Sequence, residues 1–113
     1  TDNTGQLTEI VHEIINVVSL SLNMVIESTD LNSYRFITHV KFFAQRMIKH
    51  IDNSDDSEND LYNLVKQKYV LAYQVMIKLD RFLVAKYNYQ MSKNDKLYFM
   101  IHIHRLTKQI SSE

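Results

Sequence analysis

The chain has 113 residues, 45% of them hydrophobic, with no Pro, Cys or Trp and a single Gly, and its 13 Lys and Arg balance 13 Asp and Glu. Enough apolar side chain is present for one compact core, and the scarcity of Gly and Pro leaves few of the residues that hairpins and open turns need, which favours long helices over a sheet. Without Cys there are no disulfides or thiolate metal sites, as suits a cytoplasmic protein, and zero formal charge argues against a constitutive nucleic-acid surface on this segment.

From Leu7 to Ile26 the apolar positions Leu7, Ile10, Val11, Ile14, Val18, Leu22, Val25 and Ile26 recur at three- and four-residue steps, which predicts a first amphipathic helix. Its most apolar part, Val17 to Ile26, is broken by Ser19, Ser21 and Asn23 and falls short of the ~20 residues of a membrane span. Ser28, Thr29, Asp30 and Asn32 then supply cap and turn chemistry, and the stripe Phe36, Ile37, Val40, Phe43, Ala44, Met47, Ile48 and Ile51 predicts a second helix. Residues 52–59 hold no apolar side chain and read as a solvated loop.

Ser57 with Asp60 has capping-box spacing and opens a third helix at Leu61. The apolar run from Tyr69 to Val84 is too broad for a surface stripe, so a helix there belongs at the centre or at a subunit interface. Ser92 and Asp95 repeat the cap spacing ahead of a last helix from Leu97 to Ile110. The expected fold is an all-α, five-helix bundle over residues 1–113, one domain. The start at Thr1, with no basic and apolar leader, reads as a domain excised from a longer protein.

The chemistry rests on histidine. Stepping about 100° per residue sets His39 on one edge of the second helix with Arg35, Phe42, Arg46 and His50. A neutral imidazole is a competent nucleophile near physiological pH, and once phosphorylated it offers an anion onto which guanidinium groups fork. Periodicity leaves a second reading open, in which His39 is a boundary residue beside a solvated basic flank. His102 and His104 lie two apart and project to different sides of the last helix, His102 between Tyr98 and Arg105, His104 near Ile101 and Lys108. The residues alone rank these two equally. His50 reads as a structural cap at a helix end. Glu9-Ile10-Val11-His12 matches the Glu-x-x-His spacing of di-iron bundles but lacks a second copy, so a solvated face is expected and no metal or cofactor is implied. No phosphate-cradling, nucleotide or hydrolase motif is present, which points away from an enzyme.

Two stretches carry a resemblance. Tyr34-Arg35-Phe36 through Thr38-His39, Lys41-Phe42-Phe43-Ala44-Gln45-Arg46, and Leu97-Tyr98 through Ile101-His102-Ile103 with Arg105, together closely resemble the histidine motifs of the PTS regulation domain, most like the second copy in LicT/BglG-type transcriptional antiterminators. The resemblance implies that His39 and His102 are regulatory phosphoacceptors, with His104 an extra histidine that the family pattern passes over. It implies a homodimerising module phosphorylated by HPr or a sugar-specific enzyme II component, and RNA bound only by an N-terminal domain that this chain does not contain. Arg35, Arg46 and Arg105 are the candidate phosphate contacts. Other readings are the same domain in a DNA-binding activator of the MtlR or LevR type, a phosphohistidine relay enzyme, a helical metal hydrolase, or a plain dimerisation module without chemistry.

Overall fold

The computed structural model describes residues 3–51 and 59–111, and five helices account for nearly all of them: α1 (Asn3–Leu22), α2 (Leu31–Lys49), α3 (Asn59–Lys68), α4 (Val70–Tyr87) and α5 (Lys93–Ser111). The all-α, five-helix expectation holds among the described residues. The chain divides into two compact units, Thr1–Asp52 and Asn53–Glu113.

In the first unit α1 packs on α2. Ile10, Ile14, Val18 and Leu22, four residues apart, form the buried stripe of α1, and Phe36, Val40, Phe43, Ala44 and Met47 form that of α2. Burying each large side chain here contributes about 2 kcal/mol. Helix α1 begins before Leu7 and ends at Leu22, four residues short of the expected Ile26. Asn23 turns left-handed (φ 53°), its N–H donates to the Leu20 carbonyl at 3.3 Å, and the Met24 N–H reaches back to Ser19 at 3.1 Å. This Schellman closure, reinforced by the Ser19 hydroxyl donating to the Met24 carbonyl, satisfies carbonyls the helix end would orphan. Val25, apolar in the sequence pattern, is left outside at 72% exposure.

Asp30 caps α2, its carboxylate accepting the Ser33 N–H at 2.9 Å. The other end closes at His50, left-handed at φ 57°, which donates to Met47 at 3.2 Å while Ile51 donates to Arg46 at 3.0 Å. The second helix therefore stops at Lys49, and Ile51 lies beyond it, half exposed. His50 is a cap, as expected, but through its backbone conformation.

In the second unit α4 packs against α5, and α3 contacts both. Only one stripe of α4 is buried, Ala72, Val75, Met76, Leu79 and Leu83. Val70, Leu71 and Val84 stand exposed, so within its unit this helix buries one stripe rather than several faces. On α5, Phe99, Met100, Ile103 and Leu106 are fully buried. Ser92 and Asp95 make the expected reciprocal cap: the Asp95 N–H donates to Ser92 Oγ at 3.1 Å and the Ser92 N–H to Asp95 Oδ2 at 3.4 Å. The cap starts α5 at Lys93, a turn ahead of Leu97. Ser57 of the other proposed cap lies outside the described residues. Between α3 and α4 a single residue, Tyr69, leaves helical geometry (φ −111°, ψ 70°), while its N–H still donates to Val65 at 2.8 Å.

Candidate functional site

Helix α2 presents the first candidate group. It contains four basic residues, Arg35, Lys41, Arg46 and Lys49, and no Asp or Glu. Arg35, His39 and Arg46 follow one edge of this helix, one turn before and two turns after the imidazole. Arg35 is exposed, whereas His39 and Arg46 are half buried, with His39 Nε2 and Arg46 Nε each shielded from solvent. The Arg46 guanidinium carbon lies 5.7 Å from the centroid of the Phe43 ring, a cation–π distance that anchors the side chain to the core. Beside it, Phe42, Gln45, Arg46, Lys49 and Ile51 line an open cleft of about 310 Å³. Phe42, set among the arginines in the sequence, is 58% exposed.

This arrangement can hold an anion. Arg35 and Arg46 share a helical edge with His39, and no carboxylate on that helix opposes an anion there. Because Nε2 is shut off from solvent, attack through that nitrogen requires its surroundings to open first.

The second unit carries the other two candidates, both on α5. His102 is half buried, with the exposed Arg105 three residues on and Tyr98 four residues before it. Beyond Asp95 the described part of α5 holds only basic charges, Lys96, Arg105 and Lys108 beside the two histidines. His104 points elsewhere, as its register requires. Its ring stacks on Tyr69 with centroids 3.6 Å apart and planes 7° from parallel. Burial first, then Lys108 and Lys68, push its pKa below the ordinary histidine value. Its neighbours therefore disfavour the protonated form of His104.

The sequence spacing groups Arg35 and Arg46 with His39 and Arg105 with His102, and these residues lie on α2 and α5 respectively. Sequence reasoning missed Tyr69, because the stack joins the α3–α4 break to α5 and nothing local signals it. Glu9 and His12 lie on α1, and among the described residues no three His, Cys, Asp or Glu side chains gather as a metal site. No helix of the described residues is long and apolar enough to cross a membrane.

The model of the PRD domain family matches residues 12–106, a span that includes all three candidate histidines and all three arginines. The antiterminator LicT of Bacillus subtilis is 34% identical over 109 residues, covering 95% of this chain and 38% of LicT. The beta-glucoside operon antiterminator of Dickeya chrysanthemi is 32% identical over 108 residues, 96% of this chain and 38% of that protein. The PtsGHI operon antiterminator of Bacillus subtilis is 26% identical over 107 residues, 95% of this chain and 37% of its own length. The chain thus spans somewhat over a third of the curated relatives it matches. On the breadth of the family match and the identity to these antiterminators, the chain belongs to the PRD domain family.

Proposed function

We propose that this chain is the regulatory domain of a bacterial transcriptional antiterminator, reversibly phosphorylated on His39 and His102. Both compact units are read as one domain because the family match runs across them. The single observation that carries the reading is the acid-free edge of α2, where Arg35 and Arg46 flank His39. The relatives are named as antiterminators rather than enzymes, which supports a regulatory role.

The phosphoryl group comes from a phosphohistidine of HPr or an enzyme II component. Its P–N bond to the donor breaks as a P–N bond to the acceptor imidazole forms, and the donor histidine is released. At His39 the new anion meets Arg35 and Arg46, and at His102 it meets Arg105. The domain acts as a homodimer in the cytoplasm. Two packings of that dimer differ by a few kcal/mol, so a phosphate that gains contacts in only one shifts the population. RNA is read by an N-terminal domain of the parent protein. His104, clamped by Tyr69, serves at most as a secondary acceptor, and the domain uses no metal or cofactor.

The test is to incubate the chain with enzyme I, HPr and phosphoenolpyruvate and map acid-labile phosphate onto its histidines. Label is expected on His39 and His102, with His39→Ala and His102→Ala each removing one site. Absence of label at both positions, or dimerisation indifferent to the label, overturns the proposal.

A further inference from the structure

The zero net charge conceals a segregation. Residues 1–52 carry four Arg and Lys against six Asp and Glu, whereas residues 59–111, which form α3, α4 and α5, carry nine Arg and Lys against three Asp. The balance comes from Asp55, Asp56 and Glu58 just before α3 and from Glu113 at the end. Of the three acids within the helices, Asp95 is buried in the α5 cap and Asp80 lies 4.0 Å from Lys96, which leaves Asp60.

On this basic unit the aromatic rings alternate with lysines. Tyr62 and Lys66 lie one turn apart on α3, and Tyr69, at the break, is followed one turn later by Tyr73 on α4. Lys66 Nζ lies 4.9 Å from the Tyr73 ring, Lys68 Nζ 5.8 Å from the Tyr69 ring, and Lys93 Nζ 5.6 Å from the Tyr62 ring. His104 extends the series by stacking on Tyr69, with Lys108 on its own helix. All four rings are partly buried, each keeping some surface open, and Lys66, Lys68, Lys93 and Lys108 are exposed.

From this juxtaposition we infer that the three-helix unit binds single-stranded nucleic acid, without sequence preference, through lysine contacts to phosphates and stacking of bases on the tyrosine rings; the shared chemistry is a flexible phosphate chain with planar bases. Ring faces interleaved with ammonium groups at one-turn spacing are what a flexible polyanion with planar bases requires. An acidic protein segment would satisfy the lysines but make no use of the rings. The ammonium group over each ring can swing to a phosphate, which frees the ring face for a base. None of these residues belongs to α2, and the inference does not rest on phosphorylation of His39.

The experiment titrates the whole chain into a fluorescein-labelled single-stranded RNA of about 12 nucleotides and follows anisotropy over a range of salt. Binding is expected with a Kd of about 1–100 µM, and log Kd should rise with log salt with a slope of about 2–3, as up to four phosphate contacts give. The exposed pair Lys66→Gln and Lys68→Gln should lower that slope by about 1.4. Tyr73→Leu should weaken binding at least about fivefold with the slope unchanged. No anisotropy change at about 50 mM salt, no effect of the lysine pair in a chain with unaltered circular dichroism, or displacement of RNA by an equal charge of polyglutamate would overturn the inference. The last result would identify an acidic protein as the occupant.

Discussion

The imidazole of His104 lies flat against the phenol of Tyr69, 3.6 Å between centroids, and this contact ties α5 to the one residue that separates α3 from α4. A proton on His104 would place a cation in a partly buried site already facing Lys108 and Lys68. The native state therefore binds that proton less readily than the unfolded chain. With the folded pKa lowered, the contribution to stability is fully present above the unfolded value of about 6.5 and is lost as pH falls through the folded one. His104→Phe keeps a flat ring on Tyr69 and removes the titration. Urea midpoints at about pH 7.5 and 5.5 should fall further for the native chain than for His104→Phe. Equal falls would show that the stack is not proton-sensitive.

The reciprocal bonds between Ser92 and Asp95 fix where α5 begins, and Asp95 is 1% exposed. Ser92→Ala removes the acceptor of the Asp95 N–H and should cost about 1 kcal/mol. Asp95→Ala should cost about 1–2 kcal/mol because the loss falls at a buried site. A double-mutant cycle by urea unfolding should give a coupling of at least about 0.5 kcal/mol. Strict additivity would mean that the two bonds act independently.

How far the sequence could be read depended on how local each determinant is. The α5 cap was legible because Ser92 and Asp95 carry their signal within one turn. The His39 edge was legible because a helix fixes the angular relation of Arg35, His39 and Arg46 whatever surrounds it. Helix ends were read too long at α1 and α2, since Val25, Ile26 and Ile51 continue the apolar rhythm while Asn23 and His50 take the left-handed role usually given to Gly. The break at Tyr69 carries no Gly or Pro, and its partner His104 is brought near only by tertiary packing. The basic character of α3 to α5 vanished in a whole-chain average that the acidic excess of residues 1–52, the acids before α3 and Glu113 together bring to zero.

His50 pays a steric cost at φ 57° that Gly would avoid. His50→Gly should leave the Schellman bonds intact and raise stability by about 0.5 kcal/mol, partly offset by the greater freedom of Gly in the unfolded chain. His50→Val should lower it by more than about 1 kcal/mol, since a β-branched residue resists the left-handed region. Thermal unfolding of both variants checks the order. Neither change should alter phosphate uptake at His39, and a loss of label in His50→Gly with the fold retained would assign His50 a chemical role as well.

Arg46 joins the core to the candidate phosphate site, its Nε buried and its guanidinium over Phe43, on the same edge as His39. Lysine in its place keeps the charge but has neither the planar fork nor the stacking face. If phosphate on His39 is recognised by a forked contact, Arg46→Lys should resemble Arg46→Ala and abolish most of the phosphate-dependent change in dimer affinity. If only charge matters, Arg46→Lys should retain that change. Loss of the ring contact alone should cost about 0.5–1 kcal/mol of stability in both variants. Sedimentation of phosphorylated and unphosphorylated samples, with urea midpoints recorded for each, separates these outcomes, because a purely structural role for Arg46 would lower the midpoint and leave the phosphate-dependent difference untouched.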